Sequence, residues 1–192
     1  MKGADAAQQS VLRKDAARNR RRIMDAARAL ARDRKPLQLN AVAQAADVGV
    51  GTVYRHFPTP EALIEALAVD QFTDLIQKAA AAPQTQQGLR DFLKTALTAY
   101  LRDDAFAAAL TDPNPVTDDI QHLRERLLDG LRDLIARTAA DTVHPALTVG
   151  DVMLLLCGIG FAIRHAPDLE DPDLPDRYLS ALFDGVLTRR GG

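Results

Sequence analysis

Residues 40–63 read NAVAQAADVGVGTVYRHFPTPEAL, and this stretch decides the fold. Val42, Ala43, Ala46, Val48 and Val53 are small or apolar at spacings that give two short helices a packing face, one over about Asn40 to Ala46 and one over about Val50 to Phe57. Asp47 and Gly49 mark a turn between them, and Asp tolerates left-handed backbone geometry better than most residues. Small contact residues let the two helices cross steeply. Such a unit lays its second helix in a major groove, which is about 12 Å wide. Downstream, Thr59-Pro60-Glu61 starts another helix, with a hydroxyl cap, a proline in the first turn and an acid at the positive dipole end.

On the second short helix, Val50, Gly51, Thr52 and Arg55 form the groove-facing set. Gly51 lets backbone come close to a duplex. Thr52 offers a hydroxyl to phosphate or a methyl to thymine, and Arg55 can read guanine bidentately or pair with phosphate. Tyr54 and His56 carry polar tips suited to phosphate oxygens, contacts that fix register rather than sequence. The helix starts near Asn40 and Val50, the latter following Gly49, present backbone N–H groups that suit phosphates. Phe57 is expected to pack inward.

Upstream, residues 1–14 read as a mobile arm and Asp15 to Asp33 as a helix, with Ile23, Ala27 and Leu30 on one face and Pro36 ending it. Arg18, Arg20, Arg21 and Arg22 on that helix suit phosphates or a minor groove; a solvated arginine cluster is the competing reading. Residues 1–64 hold 12 Lys and Arg against 6 Asp and Glu, a charge of +6, while residues 65–192 carry −8. A basic head on an acidic body is the charge pattern of a nucleic-acid module joined to a different domain.

The remainder reads as helix throughout, so the fold class is all-α. Helices are expected over Pro60–Ala81, Gly88–Arg102, Ala105–Leu110, from a Thr117 cap to Ala140, from Thr148 to Ala166 and over Pro175–Arg189. Thr148 and Asp151 resemble a capping box. Ile120, Leu123, Leu127, Leu131 and Leu134 form a stripe on the fourth of these, and the fifth is apolar nearly all round, so it needs covering on more than one side.

Several function classes lack their marks. There is no Gly-rich phosphate loop, no G-x-S-x-G and no H-E-x-x-H, and the four histidines are scattered, so no enzyme, cofactor or metal site is expected. Cys157 is the sole cysteine and reads as a small buried hydrophobe, with a redox-sensing thiol as the alternative. The longest apolar run, Val152 to Ile163, is 12 residues where a membrane span needs about 20, and no apolar leader follows the N-terminus; a cytoplasmic protein is expected.

The run AADVGVGTVYRHFPTPEAL resembles the DNA-binding signature of the TetR family of one-component regulators, with a small apolar pair, a turn, G-T-[LV]-Y-x-H-F, then a Ser/Thr-initiated helix with an acid and Leu. The likeness covers roughly residues 18–67, about a quarter of the chain. Three positions depart from it: Asp47 where the family usually has Gly, Gly49 where it often has Ser, and Pro60 where a Lys commonly reaches phosphate. Losing that Lys should flatten the salt dependence of binding.

The resemblance implies a helix-turn-helix domain over 15–58 and a helical ligand-binding and dimerisation domain over 59–192. It implies a homodimer formed through the last two helices, with Tyr178, Leu182, Phe183 and Val186 on the final one and Gly158 and Gly160 permitting close approach. A wholly intramolecular core is the competing reading. It also implies a cavity, with Phe92, Tyr100, Phe106, Leu127, Leu131, Met153, Cys157 and Phe161 as candidate ligand-binding residues. The implied function is a repressor released from pseudo-palindromic operator DNA by a small hydrophobic or aromatic effector. The alternative is a dimeric DNA-binding regulator without a ligand, controlled by a partner protein or by abundance.

Overall fold

The computed structural model describes residues 2–33, 35–138, 144, 146–166, 171 and 173–186, and among them it holds nine helices and no strand. They fall into two compact units, Met1–Leu67 and Ala68–Gly192. The first contains α1 (Lys2–Arg32), α2 (Leu39–Ala46), α3 (Val50–His56) and the start of α4 (Pro60–Ala81).

α1 begins at Lys2, well before the Asp15 start expected from the sequence. The added segment holds three Ala, two Gln and two Lys, all good helix formers, and Gly3 is its weakest position. Ile23, Met24 and Ala27 are buried, and α1 packs on α2 and α3, whose own buried residues are Leu39, Val42, Ala43, Ala46 and Val53. Burying each of the larger of these side chains stabilises the unit by about 1.5–3 kcal/mol.

α2 ends in a left-handed residue. Asp47 has φ 49° and ψ 54°. Its N–H donates to Gln44 O at 3.2 Å, and the Val48 N–H donates to Ala43 O at 3.1 Å, the paired bonds of a Schellman ending. Asp47 is the only non-glycine residue with positive φ among those described, as its short polar side chain allows. The turn releases the chain into α3 at Gly49. The Thr59 hydroxyl accepts from the Ala62 N–H at 3.2 Å, capping α4 where the sequence placed the cap.

The second unit contains the rest of α4 with α5 (Gln86–Arg102), α6 (Asp104–Thr111), α7 (Asp118–Arg137), α8 (Val149–Arg164) and α9 (Leu174–Val186). The expected ends at Ala140 and Arg189 lie outside the described residues. Thr85 and Asp103 cap α5 and α6 through their side chains, and Asp112-Pro113 stops α6. Thr148 and Asp151 form the expected capping box, and the two Thr148 hydrogen bonds hold the Asp151 carboxyl below the usual carboxylate range. Thr117 occupies the N-cap of α7 without a capping bond from its side chain.

The core joins Phe72, Leu75, Leu89, Leu93 and Leu97 to Phe106 and to Ile120, Leu127, Leu131 and Leu134. Phe72 and Phe106 meet edge to face at 4.8 Å. Leu123 of the expected α7 stripe is half-buried beside them.

Among the described residues, α8 is buried along one side only. Val152, Met153, Leu156, Gly160 and Ile163 are buried, whereas Leu154 is 72% and Phe161 59% exposed, with Leu155 also open. Two sequence expectations change here. Leu182 and Phe183 of α9 turn into this unit's own core, where the Arg90 guanidinium lies 4.6 Å from the Phe183 ring centre. Gly160 serves an internal contact, because a Cβ there would lie 2.4 Å from Tyr100 Cδ1. Tyr178 and Gly158 remain open; the Val186 side chain lies outside what is described.

Candidate nucleic-acid interface

α3 is seven residues long and pinned from beneath. Val53 is fully buried and Phe57, just past its end, is nearly so, which fixes the rotation of the helix. That rotation sends Val50, Gly51, Tyr54 and Arg55 outward, with Thr52 and His56 half-buried at the sides. Val50 is 44% and Tyr54 48% exposed, large values for residues of their size next to a core. Residues 51, 54 and 55 share one helical face by their spacing. Nothing lies within 4 Å of where a Gly51 Cβ would be, so the backbone there is open to an approaching surface.

α2 starts one residue before Asn40, with Gln38 at its N-cap, and Asn40 is exposed in its first turn. Gly49 is the N-cap of α3 in extended geometry, and neither helix start has a side-chain cap.

The four clustered arginines of α1, Arg18, Arg20, Arg21 and Arg22, are not equivalent. Arg18 pairs with Asp15 at 3.1 Å, Arg20 lies 5.4 Å over the Phe57 ring, and Arg22 pairs with Asp47 at 3.0 Å. Arg21 and Arg55 are exposed without an intramolecular partner among the described residues. The sequence grouped all four together. What separates them is contact across the fold for Arg20 and Arg22 and a local i,i+3 pairing for Arg18.

The second unit contains a small apolar space of about 10 Å³ lined by Leu75, Ala96, Tyr100, Phe106, Leu110, Leu127, Met153, Leu156 and Cys157. As it stands it admits about one water-sized sphere. Tyr100, Phe106, Leu127, Met153 and Cys157 were expected there. Phe92 and Leu131 are buried in the core without lining it. Phe161 is on the opposite, open side of α8, stacked on His165 at 4.1 Å, because it falls two turns from Leu154 on the exposed stripe. Leu75, Ala96, Leu110 and Leu156 were missed, as ordinary core spacing hides them.

Burial pushes the Cys157 thiol up to about 11 and raises the Tyr100 phenol. Arg164 donates to Tyr100 O at 2.6 Å and pairs with Asp104 at 2.8 Å, tying the ends of α5, α6 and α8 together. No cluster of His, Cys, Asp or Glu fit for a metal, and no helix long and apolar enough to cross a membrane, occurs among the described residues.

Residues 23–67 match the family described as bacterial regulatory proteins, tetR family. No curated protein matches the chain. Among solved structures, a TetR transcriptional regulator from Streptomyces coelicolor is 27% identical, with 88% of this chain and 98% of that one covered and a TM-score of 0.51. A TetR transcriptional regulator from Rhodococcus sp. RHA1 is 21% identical, covering 88% and 95%, with a TM-score of 0.60. The TetR-like regulator LfrR from Mycobacterium smegmatis, solved in complex with proflavine, is 22% identical, covering 90% and 98%, with a TM-score of 0.56. The matched segment spans the buried face of α1, the Asp47 turn, the outward side of α3 and the capped start of α4. Residues 23–67 therefore carry the segment described for bacterial regulatory proteins of the tetR family, and α2, the turn and α3 form a helix-turn-helix within it.

Proposed function

We propose that the chain is a cytoplasmic homodimeric repressor that leaves its operator when a compact apolar or aromatic molecule enters the second unit. The outward face of α3, with Gly51 open and Tyr54 and Arg55 beside it, is the observation that carries the DNA-binding half. Val50 and Thr52 flank this face, His56 and Arg21 suit phosphates, and two copies related by a two-fold axis read half-sites about one duplex turn apart. The open stripe of α8, with Tyr178 of α9, is the surface on which a second copy packs.

The test is selection of bound fragments from random duplexes, followed by measurement of two variants on the enriched sequence. Tyr54→Ala weakens binding about tenfold with the dimer intact. Arg55→Ala shifts the preferred base at one half-site position if it reads guanine, at about 1–3 kcal/mol of discrimination. Binding of no duplex, or unchanged affinity in both variants, would overturn the reading.

The ligand half rests on the apolar lining and on the absence of slack. LfrR is described in complex with proflavine, a planar aromatic molecule of the class this lining suits. Since the space admits about one water as it stands, any larger molecule must separate α5, α7 and α8, which supplies the change that DNA affinity would sense. Coupling of about 1–3 kcal/mol, a 5–150-fold change in occupancy, is ordinary for such systems. A thermal-shift panel of aromatic and aliphatic compounds tests it, with a gain of about 2.7 kcal/mol expected at a hundred times the dissociation constant. The near-filled space also favours a second reading, a DNA-binding dimer set by abundance or a partner protein, and silence across that panel selects it.

Cys157 provides a direct probe of the same space. With its thiol near 11 against an ordinary value of 9.0, the native protein near pH 8 holds about a hundredth of the thiolate of the unfolded chain. Its labelling by a disulfide reagent is expected to be slower by that factor, and slower again with a ligand in place. Labelling at the unfolded rate would place the thiol outside the core.

A further inference from the structure

We propose that the Asp47 carboxylate acts as a built-in substitute for a DNA phosphate, holding Arg22 and so limiting the affinity of the reading head for duplex. The proposal rests on the assignment of α3 as the DNA-facing helix. It goes beyond that assignment by naming a residue that weakens binding.

The geometry separates charge from structure at this turn. The left-handed backbone at position 47 suits Gly or Asn as well as Asp, and the turn is already closed by the two backbone hydrogen bonds from Asp47 and Val48. A negative charge is therefore the one property that Asp adds. Its carboxylate meets Arg22 at 3.0 Å across 25 residues of sequence, with the two side chains 95% and 44% exposed. A pair so open to water contributes little to holding the fold. It does place a carboxylate two residues before the N-cap of α3 and occupies a cation of α1.

A duplex approaching α3 meets this pair in one of two ways. If the pair stays closed, Arg22 gives no counterion release. If it opens, Arg22 reaches a phosphate, and Asp47 faces the strands unneutralised. Both are weaker than binding with an uncharged residue at 47. The other three arginines of the cluster do not share this arrangement, since Arg18 is paired within its own helix, Arg20 lies over a ring, and Arg21 has no partner among the described residues.

The experiment is a double-mutant cycle with Asp47→Asn and Arg22→Ala, read by fluorescence anisotropy on a labelled mixed-sequence duplex of about 30 base pairs between about 50 and 200 mM salt. Asn keeps the left-handed backbone accessible, and circular dichroism melts confirm that each variant folds. Asp47→Asn is expected to tighten binding about 3–10-fold at the lowest salt and to steepen the log–log salt dependence by up to about 0.9, one phosphate contact. Arg22→Ala is expected to change parent affinity less than about twofold and to remove the gain when added to Asp47→Asn. Equal losses from Arg22→Ala in both backgrounds, or weaker binding by Asp47→Asn, overturn the proposal while leaving the α3 assignment standing. Unaltered affinity of Gly51→Leu for the selected operator duplex overturns both.

Discussion

Gly51→Leu is expected to leave the protein at least as stable as the parent and to lower its affinity for operator DNA by a hundredfold or more. The two effects have separate origins. A Cβ at this position meets nothing within 4 Å, so the added side chain strains no neighbour. Gly in a helix is about 1 kcal/mol less favourable than Ala, and Leu lies close to Ala, so melting should shift upward by a few degrees. On the DNA side the leucine stands where α3 backbone would approach the duplex, and withdrawal of the helix from the groove forfeits base contacts as a set. Specific binding commonly exceeds non-specific binding by about 10³–10⁷, so losing most of the docking leaves ample room for a hundredfold effect. A stabilised variant that binds as the parent does would remove α3 from the interface.

The second large effect concerns assembly. Leu154→Glu together with Phe161→Glu should convert the proposed dimer to monomers across the micromolar range in sedimentation, and operator binding should fall with it. Both side chains are mostly exposed within a single chain, so the substitutions should leave that chain folded. In a two-fold interface each charge occurs twice, buried against an apolar partner. A buried charge without a partner costs about 3–5 kcal/mol, and even one such cost per copy weakens association by several orders of magnitude. Sedimentation of the parent as a monomer, or of the variant as an unchanged dimer, would count against this face. Leu182→Ala and Phe183→Ala make the contrasting pair, because those residues turn into their own chain's core and should lower stability instead.

How much of this was legible in the sequence follows from where each signal is held. The short helices, the left-handed Asp47 and the outward α3 face could be read because turn chemistry and helical spacing are local. The Thr148–Asp151 box was equally local. The start of α1 was misjudged because a polar, Ala-rich segment with no apolar face gives no periodic signal, even where its residues favour helix. α8 was harder. A helix apolar on all sides reveals that it needs two coverings but not which side receives which. Leu182 and Phe183, expected at a subunit interface, are consequently buried in their own chain's core, Phe161, expected at the cavity, lies on the open side, and the close approach at Gly160 is made by Tyr100. The split among the arginines was invisible for the same reason, since Arg22 finds Asp47 and Arg20 finds Phe57 only across the fold.

The near-filled space between α5, α7 and α8 has a consequence for how sensitive a regulator of this kind can be. If only a small fraction of molecules is open at any moment, the apparent dissociation constant of an inducer equals its intrinsic value divided by that fraction. Trimming a wall side chain such as Leu127 would then raise the open population and lower the inducer threshold without adding any contact to the inducer itself. Selection for response at higher or lower concentrations can thus act on packing alone, with the groove-reading helix left untouched.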